Sequence, residues 1–147
     1  MNLSEKLSGA FRVFRFQKEA PHLALGKWGE KHAESYLRKN TSLKLLGRRV
    51  RVGKHDELDL LAREGSLLVV IEVKTRATEG LRPAKDAVGR KKQWNLNRAA
   101  VKYASSLNPR PDGIRFDIVE VIGAPGAGPV DIRHHPGAFG LHRCFRF

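Results

Sequence analysis

The segment Leu67-Leu68-Val69-Val70-Ile71 carries no polar side chain. A run so short and continuous predicts a strand buried on both faces. It opens a strand predicted over Leu67 to Thr75, which turns polar at Glu72 and Lys74. The stretch before it, Glu57 to Arg63, alternates. Leu58, Leu60 and Ala62 fall on one face of a strand, Glu57 and Asp59 on the other. Glu64-Gly65 between the two runs reads as a hairpin turn. Leu43 to Val52 alternates more loosely and predicts a further strand, joined to the next by a turn at Gly53-Lys54-His55-Asp56.

Two segments carry helical spacing instead. From Pro21 to about Lys39, Gly26, Gly29, Ala33, Tyr36 and Leu37 form one stripe, with proline suited to the first turn. Small residues there let the helix lie close to a neighbouring backbone. Asn40-Thr41-Ser42 ends it. The second helix is predicted from about Lys85 to Ser106. Val88, Trp94, Leu96, Ala99, Ala100, Val101, Tyr103 and Ala104 supply its apolar surface, and Trp28 and Trp94 both read as core in preference to platforms for base stacking. Asn108 to Gly113 breaks this helix, and Ile114 to Ile122 is the fourth strand. A glycine- and proline-rich loop, Gly123 to Pro129, precedes a tail with room for one edge strand or two.

This order, helix-strand-strand-strand-helix-strand, predicts an α/β fold with a mixed sheet. The short hairpin forces an antiparallel pair, and the long helical crossover permits a parallel one. Residues 21–122 form the expected domain and 123–147 a C-terminal extension. Residues 1–20 form an appendage, where Leu3, Leu7, Phe11 and Phe14 fit an amphipathic helix. A chain of 147 residues suits a single core.

Charge changes the picture most. Lys plus Arg number 28 against 15 Asp plus Glu, a net charge of +13. Such a surplus attracts polyanions, of which nucleic acid is the most abundant, without separating DNA from RNA. The single cysteine, Cys144, excludes an intrachain disulfide. No apolar run approaches the roughly 20 residues that span a bilayer, so no membrane partner is expected. Lys6, Arg12 and Arg15 interrupt the N-terminus where a secretory signal would be apolar. The expected location is therefore the cytoplasm.

Against this basic background, Asp56-Glu57-Leu58-Asp59 is an odd way to begin a strand. Across the hairpin, Glu72 and Lys74 share a face. A two-residue loop at Glu64-Gly65 sets Asp59 opposite Val70 and Glu57 opposite Glu72; a four-residue loop sets Asp59 opposite Glu72. Either register puts Asp59 and Glu72 on one face, and a one-residue slip would separate them. At about 5 Å and an effective dielectric near 20, each like-charge pair costs roughly 3 kcal/mol. A hard divalent cation reverses that sign, and a lysine beside it suits a phosphate or an attacking water. The competing reading of Glu72 and Lys74 is a solvated cross-strand ion pair. Glu30 borders the packing stripe of the first helix and faces the sheet, or else pairs with Lys27 or Lys31 on the helix surface. His134, His135, His142 and Cys144 match no tight zinc-ligand spacing.

Gly26-Lys-Trp-Gly-Glu30-Lys-His-Ala33, Glu57-Leu-Asp59-Leu-Leu, Val70-Ile-Glu72-Val-Lys74-Thr-Arg76, Lys92-Gln93 and Arg115-Phe-Asp117 occur in an order that resembles the YraN family. These small bacterial proteins are grouped with PD-(D/E)XK nucleases of the Holliday-junction-resolvase type. The resemblance spans about Gly26 to Val121. It implies a restriction-endonuclease-like core and a nuclease hydrolysing DNA at ends, junctions or damaged structures, in preference to RNA, with Mg²⁺ or Mn²⁺ as cofactor. It implies Asp59, Glu72 and the Val73 carbonyl as metal ligands, Lys74 beside the attacking water, and Glu30 as an outer ligand or water-positioning group. Arg76, Lys92 and Gln93 become nucleic-acid contacts, with Arg76 free to pair with Asp117 in the alternative. A homodimer is a further implication. The chain departs from the family at Asp56, where a glycine usually stands. Two other functions compete with catalysis: an idle nucleic-acid-binding module of the same fold, and an adaptor whose basic surface docks an acidic partner.

Overall fold

The computed structural model describes residues 20–147, so the appendage expected over 1–20 lies, but for Ala20, outside the described residues. Helix α1 (Pro21–Asn40) leads into strands β1 (Lys44–Val52), β2 (Asp56–Glu64) and β3 (Leu67–Arg76). A short 3-10 turn (Ala84–Ala87), helix α2 (Arg90–Ser105), and strands β4 (Gly113–Ile122) and β5 (Asp131–Phe139) follow. This is the α/β order expected of a restriction-endonuclease-like core, with one strand added. The five strands form one mixed sheet in the order β1-β2-β3-β4-β5. β3 and β4 run parallel, and every other neighbouring pair is antiparallel. Only the parallel pair needs a long crossover, and α2 supplies it. No described helix is long and apolar enough to cross a membrane.

β3 separates two apolar layers, as its uninterrupted run requires. Val69, Ile71 and Val73 pack with Ala33 and Leu37 of α1 and with Val119 and Val121 of β4. Leu68 and Val70 pack with Leu96, Ala99, Ala100 and Ala104 of α2 and with Phe116 and Ile118. Alternation along β3 thus assigns one helix to each face. Close approach of α1 depends on one glycine of its stripe: a Cβ on Gly29 would stand 1.8 Å from Thr75 Oγ1, whereas one on Gly26 would meet nothing within 4 Å.

Four expectations change. The hairpin turn is Gly65-Ser66, not Glu64-Gly65, because Glu64 still pairs with Leu67 and the left-handed backbone falls on Gly65, at φ +57°. Leu58 and Leu60 do not share a face: Leu58 and Leu61 join the α2 layer while Leu60 and Ala62 join the α1 layer. Strict alternation therefore breaks around Asp59. α2 begins at Arg90, since Val88 and the capping Gly89 are extended and Lys85 sits in the separate 3-10 turn. Val88 is buried while Trp94 is 44 % exposed, so Trp94 is not a core residue.

The stretch after residue 123 supplies β5, whose Ala138 and Phe139 pack on the α2 layer. The outer strands are irregular. The pairing of β1 shifts between Leu45 and Gly47, and that of β4 with β5 shifts between Phe116 and Ile118.

Candidate metal and phosphate site

The regular β2–β3 ladder reaches Leu60 opposite Ile71. One step further Asp59 comes level with Glu72, the register that a four-residue loop would have given. There a side chain takes over from the ladder: Val73 N–H donates to Asp59 Oδ2 at 2.9 Å. In an extended strand the N–H and C=O of one residue point to the same side. The Val73 carbonyl therefore faces the edge where Asp59 has replaced the backbone.

Glu72 is only 3 % exposed. Its Oε1 accepts a hydrogen bond from Lys74 Nζ at 2.9 Å. Its Oε2 is buried and accepts no hydrogen bond among the described residues. Lys92 Nζ stands 3.3 Å from that oxygen, within ion-pair distance but without hydrogen-bond geometry. Lys92 belongs to α2, and this contact ties the crossover helix to the site. Burial pushes the Asp59 carboxyl up to about 7, and the Glu72 charge adds to it. The Val73 N–H and the Lys92 charge oppose the rise without cancelling it. The two carboxylates therefore repel one another through charge, with burial the larger cause of the rise.

Glu30 is also buried, on α1. Arg49 of β1 donates to both its oxygens, from Nε at 2.7 Å and Nη2 at 3.0 Å. Arg49 is the one non-glycine with positive φ among the described residues, at 52°. That backbone costs an L-residue of order 1 kcal/mol or more, and here it turns the guanidinium toward α1. The same side chain lies 3.8 Å from Glu57. Glu30 acts on Asp59 only through its charge, as a minor upward push.

The nucleic-acid contacts expected from sequence fall in different surroundings. Gln93 Nε2 donates to the Val88 carbonyl at 2.9 Å, securing the start of α2. Arg76 lines an open cavity of about 510 Å³ with Arg82, Lys85, Glu120, Arg133 and His135. Its guanidinium lies against Gly80, where a Cβ would stand 2.1 Å from Nη1. It does not pair with Asp117. That carboxylate is fully buried and bonded to Arg115 at 2.8 and 3.0 Å, to His134 at 2.8 Å and to the Gly137 N–H at 3.0 Å. Burial alone would raise the Asp117 carboxyl. The bonds from His134, Arg115 and Gly137 outweigh it and hold the group below the usual range. Asp117 thus fastens β4 to β5, while Arg115, which also donates to Glu64, ties the same carboxylate to β2.

Asp56, the departure at the turn, accepts two hydrogen bonds from Arg98 of α2, at 2.7 and 3.2 Å. His134 and His135 are each bonded to a carboxylate, Asp117 and Glu120. No group of three or more His, Cys, Asp or Glu among the described residues could hold a metal. The described residues thus build no zinc cage, and the Asp59/Glu72 pair stands as a partial donor set. Hard ions such as Mg²⁺ are bound in that way, by one or two carboxylates with water or phosphate. The buried, unbonded Glu72 oxygen beside a raised Asp59 fits such an ion.

Sequence reasoning missed Arg49 and the Glu120–His135 pair. A lone arginine in a basic strand carries no signal of its backbone conformation. Glu120 did carry one, as the polar interruption of Ile118-Val119-Glu120-Val121.

Among known proteins, residues 29–121 match the family model described as "Uncharacterised protein family UPF0102". A UPF0102 protein of Frankia alni is 36% identical over 116 residues, 79% of this chain and 94% of the relative. One from Syntrophotalea carbinolica is 38% identical over 119 residues, covering 80% and 92%. One from Leifsonia xyli subsp. xyli is 34% identical over 113 residues, covering 77% and 93%. On the matched segment, the identities and the coverage of both chains together, this chain belongs to the UPF0102 family, which is the YraN family its motifs resemble.

Proposed function

We propose that the protein is a metal-dependent phosphodiesterase acting on nucleic acid, DNA in preference to RNA. The observation that carries this reading is the buried Glu72 Oε2 without a hydrogen bond, beside an Asp59 carboxyl raised to about 7. A buried polar atom left unbonded costs about 1–3 kcal/mol, and a second carboxylate next to it adds repulsion. Two such features on one strand pair are poor structure and good ligation. Asp59, Glu72 and the Val73 carbonyl would hold Mg²⁺ or Mn²⁺. When bound, such an ion neutralises charge on a phosphodiester and acidifies a water.

The chain's own groups have separate tasks. Lys74 is held at the site by Glu72 and presents its ammonium to phosphate and to the attacking water. Lys92, on the opposite side of Glu72, meets the same strand as a point charge. Glu30 is a water-positioning group only if it leaves Arg49, so we assign it an outer role. Arg76 lines a cavity shared with other cations and suits a phosphate further along the strand. The net charge of +13 supplies affinity.

A second reading is an idle binding module. It is favoured by Lys74 and Lys92, which between them already face both oxygens of Glu72. Incubating the full chain with labelled single-stranded, duplex, flapped and four-way DNA, in Mg²⁺, Mn²⁺ or EDTA, separates the two. Cleavage that needs metal and is lost in Asp59→Asn supports the enzyme. Binding with no cleavage of any substrate in either metal supports the idle module.

A further inference from the structure

Trp94 is a large aromatic left 44 % exposed. A lone exposed side chain needs no explanation, but this one is held in place. Its ring meets His142 at 5.3 Å and Phe145 at 4.7 Å between centroids. The tail carrying those rings is fastened by Asn97, which is 1 % exposed. Asn97 Oδ1 accepts from the His142 N–H at 2.6 Å, and its Nδ2 donates to the Gln93 carbonyl at 2.9 Å. A buried amide thus locks the chain end against the helix and fixes the indole.

The fixed ring borders a cavity of about 520 Å³, lined by Arg90, Gln93, Trp94, Asn97, Gly140 and His142. That volume is of the size that takes small organic ligands. Arg90, Gln93, Trp94 and Asn97 stand at helical spacing i, i+3, i+4 and i+7, so they share one face of α2. Arg90 is exposed and cationic. Lys92, on the same turn but off this face, reaches Glu72. One turn of α2 therefore faces the candidate catalytic strand on one side and an aromatic, amide-bearing cavity on the other.

We infer that this cavity takes an unpaired nucleobase of the bound strand, stacked on Trp94, with a neighbouring phosphate on Arg90. Stacking on a rigid aromatic needs a flat partner, and the Arg90 cation in the lining selects one attached to phosphate. A duplex keeps its bases stacked on each other and cannot use such a platform. The substrate class is accordingly nucleic acid with single-stranded character: a flap, a gap, an end or a junction arm. This deepens the nuclease reading and rests on it for the identity of the polyanion, but not on catalysis.

The test is done in EDTA, so that catalysis plays no part. The chain has two tryptophans, and Trp28→Phe leaves Trp94 as the sole tryptophan emitter. This variant is titrated with an oligothymidylate, with an abasic strand of equal length and with a blunt duplex. Anisotropy of labelled strands reports total binding. Quenching of Trp94 emission by the oligothymidylate, with none from the abasic strand, is the expected result. Trp94→Leu keeps apolar contact with Phe145 and should weaken single-strand binding roughly tenfold or more while leaving duplex binding unchanged. Trp94→Phe should restore part of the loss. Circular dichroism confirms that the variants are folded. Saturated strand binding with unchanged Trp94 emission, or equal affinity in Trp94→Leu, overturns the inference and spares the nuclease reading. No binding of any strand at low salt overturns both.

Discussion

Replacing Asp59 with asparagine should stabilise the metal-free protein, and only above mildly acidic pH. The amide oxygen of the new side chain can still accept the Val73 N–H, so the change removes charge and little else. The Asp59 carboxyl moves from an ordinary 3.8 to about 7 in the fold. Its folded form therefore binds a proton more tightly than the unfolded chain does, by roughly 4 kcal/mol at 1.36 kcal/mol per tenfold. The sign follows from linkage: a carboxyl raised in the fold takes up a proton on folding between the two values. Wild-type stability should then fall as pH rises from about 4 to about 7 and level off above, as far as this group is concerned. Asp59→Asn lacks that decline. In urea denaturation with EDTA, wild type and variant should agree near pH 4. By pH 8 the variant should be ahead by a few kcal/mol, with about 4 kcal/mol as the ceiling. Parallel stability curves across this range, or a variant less stable at pH 8, would refute the burial of the Asp59 carboxyl beside Glu72.

Lys74→Ala should keep the fold and lower single-turnover cleavage by about 10²–10³-fold, the usual effect of losing one group that stabilises developing charge. An unchanged rate removes Lys74 from the chemistry. Asp117→Asn should lose about 1–3 kcal/mol in denaturant titrations, because it weakens the charge-assisted bonds from Arg115 and His134 to a fully buried group, while Arg115 keeps Glu64 as a partner. Since the Asp117 carboxyl is held low, its contribution is present above the usual carboxylate range and is lost as pH falls through the lowered value. The gap between wild type and variant should accordingly shrink in acid, and a gap constant down to about pH 2 would contradict the network. Gly29→Ala should lower the melting temperature, because the added carbon meets Thr75 Oγ1 of β3. Overpacking of this kind typically costs about 1–3 kcal/mol, and a pairing Thr75→Ala change should recover part of it.

Much of the frame was legible because it rests on periodicity. The unbroken run at Leu67 to Ile71 announced a central strand, and the parity of Glu72 and Lys74 placed them together. The convergence of Asp59 with Glu72 was legible too, since every register that buried the apolar residues brought them to one face. What escaped depends on single backbone angles or on remote contacts. No pattern signals that Arg49 adopts a left-handed conformation and grips Glu30. The break of alternation around Asp59 hid the separation of Leu58 from Leu60. Helical spacing ran through Val88 and Gly89 without showing that both are extended. Trp94 reads as core by its chemistry, yet the tail that flanks it comes from the far end of the chain and leaves much of the ring uncovered.

The irregular outer strands bear on how this protein meets copies of itself. Among the described residues, β1 and β5 are the two border strands of the sheet. A straight border with open N–H and C=O groups is a template on which another chain can add a strand and seed aggregates. Here β1 has a register shift at Leu45/Gly47, the left-handed Arg49, and the charges of Arg48 and Arg51. The β4–β5 ladder shifts between Phe116 and Ile118, and β5 contains Pro136, which has no N–H to offer, followed by Gly137 at φ +60°. Neither border offers an even row of hydrogen-bonding groups. Among the described residues, both borders therefore disfavour a continuous sheet across two molecules, so that self-pairing by strand addition is suppressed at each end.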